Sequence, residues 1–132
     1  MGQIELEELF KRKKLQTIRL LEVAETTRRM SEAMGRRDDV SVRMLLGERE
    51  LPIRQLQEIE EGINEYILTL PEDEAIRYTE LLRGAAPATD EEKLLTDQVM
   101  QYLRALESTV EQDKQLSVRL GGKRSFYQKF KT

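Results

Sequence analysis

Residues 42–70 read VRMLLGERELPIRQLQEIEEGINEYILTL, and the fold turns on how that stretch is phased. Val42, Leu45, Arg49, Pro52, Leu56, Ile59, Ile63, Tyr66 and Leu70 alternate steps of three and four, with Leu46, Ile53 and Ile67 alongside. Such a heptad frame, held over 29 residues, predicts a long helix with one apolar seam. Pro52 sits inside it. A helix broken there would want Ser, Thr, Asp or Asn just before the proline, and Arg49-Glu50-Leu51 offers none. The frame also keeps its phase through Pro52, so one bent, continuous helix is favoured despite the ~3 kcal/mol an interior proline can cost. Gly47 and Gly62 lie off the seam and weaken the helix by about 1 kcal/mol each relative to Ala.

Working outward, the segment from Ile4 to Met34 holds no Pro and no internal Gly. Leu6, Leu9, Phe10, Leu15, Ile18, Leu21, Ala24, Met30 and Met34 recur mostly at three- and four-residue steps, which predicts one broad apolar face. Gly35 suits a left-handed helix end, the nearby arginines complement the negative end of the dipole, and Asp38 and Asp39 can cap the next helix. After residue 70, Thr69 with Glu72 makes a candidate capping box and Pro71 suits a first turn, opening a short helix over 72–83 that uses Ala75, Ile76, Tyr78, Thr79, Leu81 and Leu82. Gly84 ends it, and residues 84–88 form a small uncharged linker. A second box, Thr89 with Glu92, opens the last long helix, framed by Leu95, Val99, Tyr102, Leu106, Thr109/Val110, Asp113, Leu116 and Leu120 and closed by Gly121-Gly122.

Helices of about 30 residues are about 45 Å long, and the short turn after the first sets the first two antiparallel. The expected fold is all-α: an elongated antiparallel helical bundle of three long helices plus one short helix, with coiled-coil-like packing. Residues 1–120 form a single bundle domain and 121–132 a basic, aromatic C-terminal tail. No alternation of period two argues for a sheet.

Composition removes most chemistry. The chain has 132 residues, no Cys, no His, no Trp and seven aromatic side chains. That excludes His-dependent nucleophilic triads, typical zinc sites and disulfides. The acidic pairs read as solvated helix surface, since nothing places them in a pocket that would raise a carboxyl pKa. Gly121-Gly122-Lys123 lacks the rest of a phosphate loop. No catalytic residue, metal or cofactor is expected, and the chain is not read as an enzyme. A net charge of −3 argues against nucleic acid as a partner. The N-terminus is acidic, unlike a signal peptide, and no stretch could span a membrane, so a cytoplasmic location is expected.

Three features stand apart. The run Lys11-Arg12-Lys13-Lys14 reads as a salt-laced helix face or, less simply, a patch for an anionic partner. Asp113 occupies a core-type heptad position, where a lone polar residue either fixes register and oligomeric state or marks where the last helix leaves the bundle. The tail carries four positive charges and no acid, leaving −7 for the rest of the chain. With Phe126, Tyr127 and Phe130 it either docks on the bundle, seizes a partner or occludes the partner groove, or touches nucleic acid or an anionic membrane.

The stretch Gly35-Arg36-Arg37-Asp38-Asp39-Val40, leading into Leu45-Leu46-Gly47-Glu48-Arg49-Glu50-Leu51 and Ile53-Arg54-Gln55-Leu56-Gln57-Glu58-Ile59, resembles the flagellar export chaperones of the FlgN and FliT type. The resemblance covers mainly residues 15–70, with looser support from 90–120. It implies a cytoplasmic helical chaperone or adaptor that binds an amphipathic segment of a flagellar hook-junction or filament-cap subunit before type III secretion. An amphipathic client helix would add to the bundle through anchors at i, i+3/i+4 and i+7. The expected partner-binding residues are Tyr102, Leu106, Val110, Leu116 and Leu120, with Phe126, Tyr127 and Phe130 at the end of the groove; the plainer alternative for each is bundle core. The competing function is a structural coiled coil that self-associates, a homodimer for example, with no client.

Overall fold

The computed structural model describes residues 2–120 and is all-α, with α1 (Gln3–Gly35), α2 (Asp39–Leu68), α3 (Glu72–Leu82) and α4 (Asp90–Arg119) and no strand among the described residues. The tail beyond Leu120, with Phe126, Tyr127 and Phe130, lies outside them.

The ends of the helices follow local chemistry, with two departures from the sequence reading. Gly35 is the last residue of α1 and is not left-handed; Arg37 is, at φ 58°. The Asp38 amide donates to the Ala33 carbonyl (2.9 Å) and the Arg37 amide to that of Met34 (3.1 Å), a Schellman ending displaced two residues beyond the glycine. Asp38 then accepts from the Ser41 amide at 3.1 Å and starts α2. The second departure is Thr69, whose hydroxyl turns back to the Tyr66 carbonyl (2.6 Å) instead of capping α3; Pro71 holds the capping position with no side-chain bond. Gly84, at φ 102°, ends α3 as expected. Thr89 caps α4 by accepting from the Glu92 amide at 3.1 Å, but the Glu92 carboxylate reaches past it to the Ala88 amide (2.8 Å). Glu92 also takes Arg77 at 2.7 Å, tying α3 to the start of α4.

α2 runs unbroken through Pro52, which is buried. Lacking an N–H, the proline leaves the Glu48 carbonyl without its in-helix donor. Continuity across it follows from the seam, because Val42, Leu45, Ile53, Leu56, Ile63 and Ile67 are buried on both sides.

α1 is the spine. It packs along α2 in antiparallel register, with Arg12 Nη1 on the Gly62 carbonyl (3.0 Å), Gln16 on Glu60 (2.6 Å) and Arg29 beside Glu48 (3.9 Å). It packs along α4 in parallel, Leu6 and Leu9 sharing a cluster with Leu95 and Val99 near one end and Met30 and Ala33 with Leu116 near the other; between them Lys13 lies over the Tyr102 ring and Thr17 accepts from Gln98. α2 and α4 flank it, yet none of their Cα atoms approach within 8 Å of each other.

The core is segmented. One apolar cluster joins Leu6, Leu9, Ile63, Ile67, Tyr78, Leu81, Leu95 and Val99. A second joins Leu20, Val23, Ile53, Leu56 and Tyr102. A third joins Met30, Ala33, Val42, Leu45 and Leu116. Between them lie two buried polar layers: Lys13, Gln16, Thr17 and Gln98, then Thr27, Arg49, Thr109 and Asp113. This segmentation corrects the expected face of α1. Its core positions 13, 16, 17 and 27 are polar, whereas Leu15, Ile18 and Leu21, expected on the apolar face, are 41%, 44% and 54% exposed on the opposite side.

Candidate functional site

The seam between α2 and α4 is closed by side chains alone. Two backbones more than 8 Å apart can be joined only by side chains, and the joining set is mixed. Leu106 and Val110 of α4 pack half-buried on the second apolar cluster, and Leu46 of α2 with Leu120 on the third. Leu106 and Val110 are four apart, so they form one helical edge.

Of the residues expected to bind a partner, Tyr102 (5% exposed) and Leu116 (1%) belong to the interior. Tyr102 fills the second cluster beside Ile53 and Leu56, and Leu116 the third beside Met30 and Val42. Leu106, Val110 and Leu120 form the half-buried rim. The heptad phase places all five on the inner half of α4; the width of the α2–α4 seam then divides them between core and rim.

The polar layers border this seam. In the first, the Lys13 ammonium lies 3.9 Å from the centroid of the Tyr102 ring. Burial pushes the Lys13 amine below its ordinary pKa, with Glu60 opposing in part. Burial, and then Glu60, pushes the Tyr102 phenol upward. Glu60 is itself exposed on α2, yet its carboxylate reaches buried Gln16 at 2.6 Å, so the layer opens to solvent along its α2 edge. Lys13 belongs to the basic run read as a solvated face; one of its four members is core.

In the second layer, Arg49 Nη1 donates to Asp113 Oδ1 at 2.8 Å and lies 3.1 Å from the Thr27 hydroxyl, with side chains 2% and 0% exposed for Arg49 and Asp113. Sequence reasoning placed both charges in heptad frames without joining them. Opposite charges at core positions of two different helices are the signal that could have done so.

A smaller hollow of about 240 Å³ lies between the N-terminal turns of α1 and α4, lined by Leu6, Phe10, Leu94 and Leu95 with Gln3, Glu7 and Glu91 around it. Its wall is mainly apolar. Among the described residues no group of three or more His, Cys, Asp or Glu could hold a metal, and no helix is long and apolar enough to cross a membrane. The arrangement offers helix-shaped apolar surface. Compared with models of known protein families, with curated proteins and with solved structures, the chain matches none.

Proposed function

We propose that the chain is a polypeptide-binding helical module, acting as a cytoplasmic export chaperone or adaptor for an amphipathic segment of a flagellar subunit. The observation behind this reading is the α2–α4 seam: two long helices held apart on a common spine, with Leu46, Leu106, Val110 and Leu120 half-buried along their facing edges. An elongated, coiled-coil-like rod of this kind can take one further helix opposite α1, completing a four-helix cross-section. Such a guest would bury the rim leucines and the valine and supply anchors at i, i+3/i+4 and i+7. An exposed amphipathic segment is prone to premature association, and covering its apolar stripe removes that hazard.

The test is co-expression with C-terminal fragments of hook-junction and filament-cap subunits, followed by size exclusion with light scattering. A defined complex that is lost in Leu106→Asp and Val110→Asp, with helicity of the free variants retained, supports the reading. If no fragment co-elutes, it is abandoned in favour of a self-associating coiled coil without a client.

A further inference from the structure

The face of α1 opposite the core has a symmetry of its own. Leu15, Ile18 and Leu21 are exposed there at 41%, 44% and 54%, with neither α2 nor α4 over them. Lys11, Leu15, Ile18, Glu22 and Glu25 alternate steps of four and three, the spacing of a second heptad seam on the same helix. Lys11, Lys14, Glu22 and Glu25 are all exposed.

Measured from Ile18, the pattern is a palindrome of opposite signs. Leu15 and Leu21 stand three residues away on either side, Lys14 and Glu22 four, and Lys11 and Glu25 seven. A helix laid antiparallel on its own copy, with a two-fold axis at Ile18, brings each position against its mirror image. Leu15 then meets Leu21 of the copy, Lys14 meets Glu22 and Lys11 meets Glu25. In a two-fold contact every such pair occurs twice.

We infer that the outer face of α1 is a self-association surface, on which two copies of this chain pack antiparallel about Ile18. The occupant is a second copy because the charge order is complementary to itself when reversed. In parallel alignment, by contrast, like charges would face at every flanking position. Within one chain Glu22 is turned to Arg19 and Glu25 to Arg28. These are exposed pairs of small worth that a facing lysine can share. The six apolar side chains at the centre supply the attraction, and the flanking charges set orientation and partner choice. This surface lies across α1 from the α2–α4 seam, so dimerisation leaves the proposed client seam uncovered.

Sedimentation velocity and light scattering of the full chain across the micromolar range test the inference. Wild type forms a dimer. Ile18→Glu, which sets two carboxylates at the dyad, is monomeric with unchanged helical circular dichroism. Lys14→Glu and Glu22→Lys each weaken the dimer, the double variant in one chain restores it, and mixing the two single variants gives a heterodimer. A wild type that stays monomeric, a dimer that survives Ile18→Glu, or a double variant without rescue overturns it. Client binding by monomeric Ile18→Glu is read in the same experiment, so the failure of one proposal is distinguishable from the failure of the other.

Discussion

Arg49 and Asp113 stand 64 residues apart in the chain and meet at 2.8 Å in the interior, at 2% and 0% side-chain exposure. They join the two flanking helices across a seam that their backbones leave open. Deleting one partner takes the countercharge from a group buried where water cannot replace it, whereas replacing both removes the desolvation cost together with the attraction. Asp113→Ala is therefore expected to lower stability by about 3–5 kcal/mol, and Arg49→Met with Asp113→Leu to leave it unchanged or raise it. Urea unfolding of the two single variants and the double variant checks the expectation; additive losses would contradict it.

Arg37 occupies a left-handed conformation at φ 58°, where a Cβ is disfavoured. Arg37→Gly is expected to stabilise the chain by about 1 kcal/mol, because glycine adopts that geometry without the steric penalty. The same change at Arg36, whose φ is −88°, should give no gain. Chemical unfolding midpoints compare the two.

Glu92 is held below the usual carboxylate range, first by its hydrogen bond from Arg77 and then by that from the Ala88 amide, with burial opposing. A carboxyl whose folded pKa lies below its unfolded value contributes stability at neutral pH. That contribution is lost as pH falls from about 4.5, the ordinary value for a glutamate, through the depressed folded value. Thermal melts from pH 7 to pH 3 should show a steeper acid loss for wild type than for Glu92→Gln. Equal slopes would place the titrating group elsewhere.

Lys13 has the opposite sign. Burial lowers its folded pKa below 10.5, so the unfolded chain binds the proton more tightly and stability climbs as pH rises through the lowered value toward 10.5. The phenols act against this only above pH 10: burial raises Tyr78 to about 12 and raises Tyr102 as well, so their ionisation favours unfolding. Lys13→Met is expected to remove the climb that wild type shows as pH rises toward 10.5. Melting temperatures across that rise, compared with wild type, measure it.

Helix positions were legible in the sequence because period and punctuation are local properties. The frame through Pro52 gave α2, and Asp38, Gly84 and Thr89 marked their boundaries. Arg37 was missed because Gly35 carries the stronger left-handed preference, yet the helix extends through the glycine and turns only afterwards. The face of α1 was missed for a different reason. Hydrophobic periodicity assumes that the core stripe is apolar, and here Lys13, Gln16, Thr17 and Thr27 interrupt it on either side of Leu20 and Val23. Leu15, Ile18 and Leu21 then supplied the apolar signal from the wrong side. At the candidate site the period identified the inner half of α4, but Leu106 and Tyr102 share that half. Only the distance between α2 and α4 separates rim from interior, and no property of a single helix encodes it.

The alternation of apolar blocks with polar layers has a mechanical consequence for the three long rods. A uniformly greasy core tolerates a slip of one heptad, since leucine replaces leucine. Here, moving α4 by seven residues in either direction would exchange Asp113 for Leu106 or Leu120 and set a leucine where Arg49 now meets a carboxylate. The rods are keyed, so a guest helix would meet a fixed set of notches instead of a sliding rail.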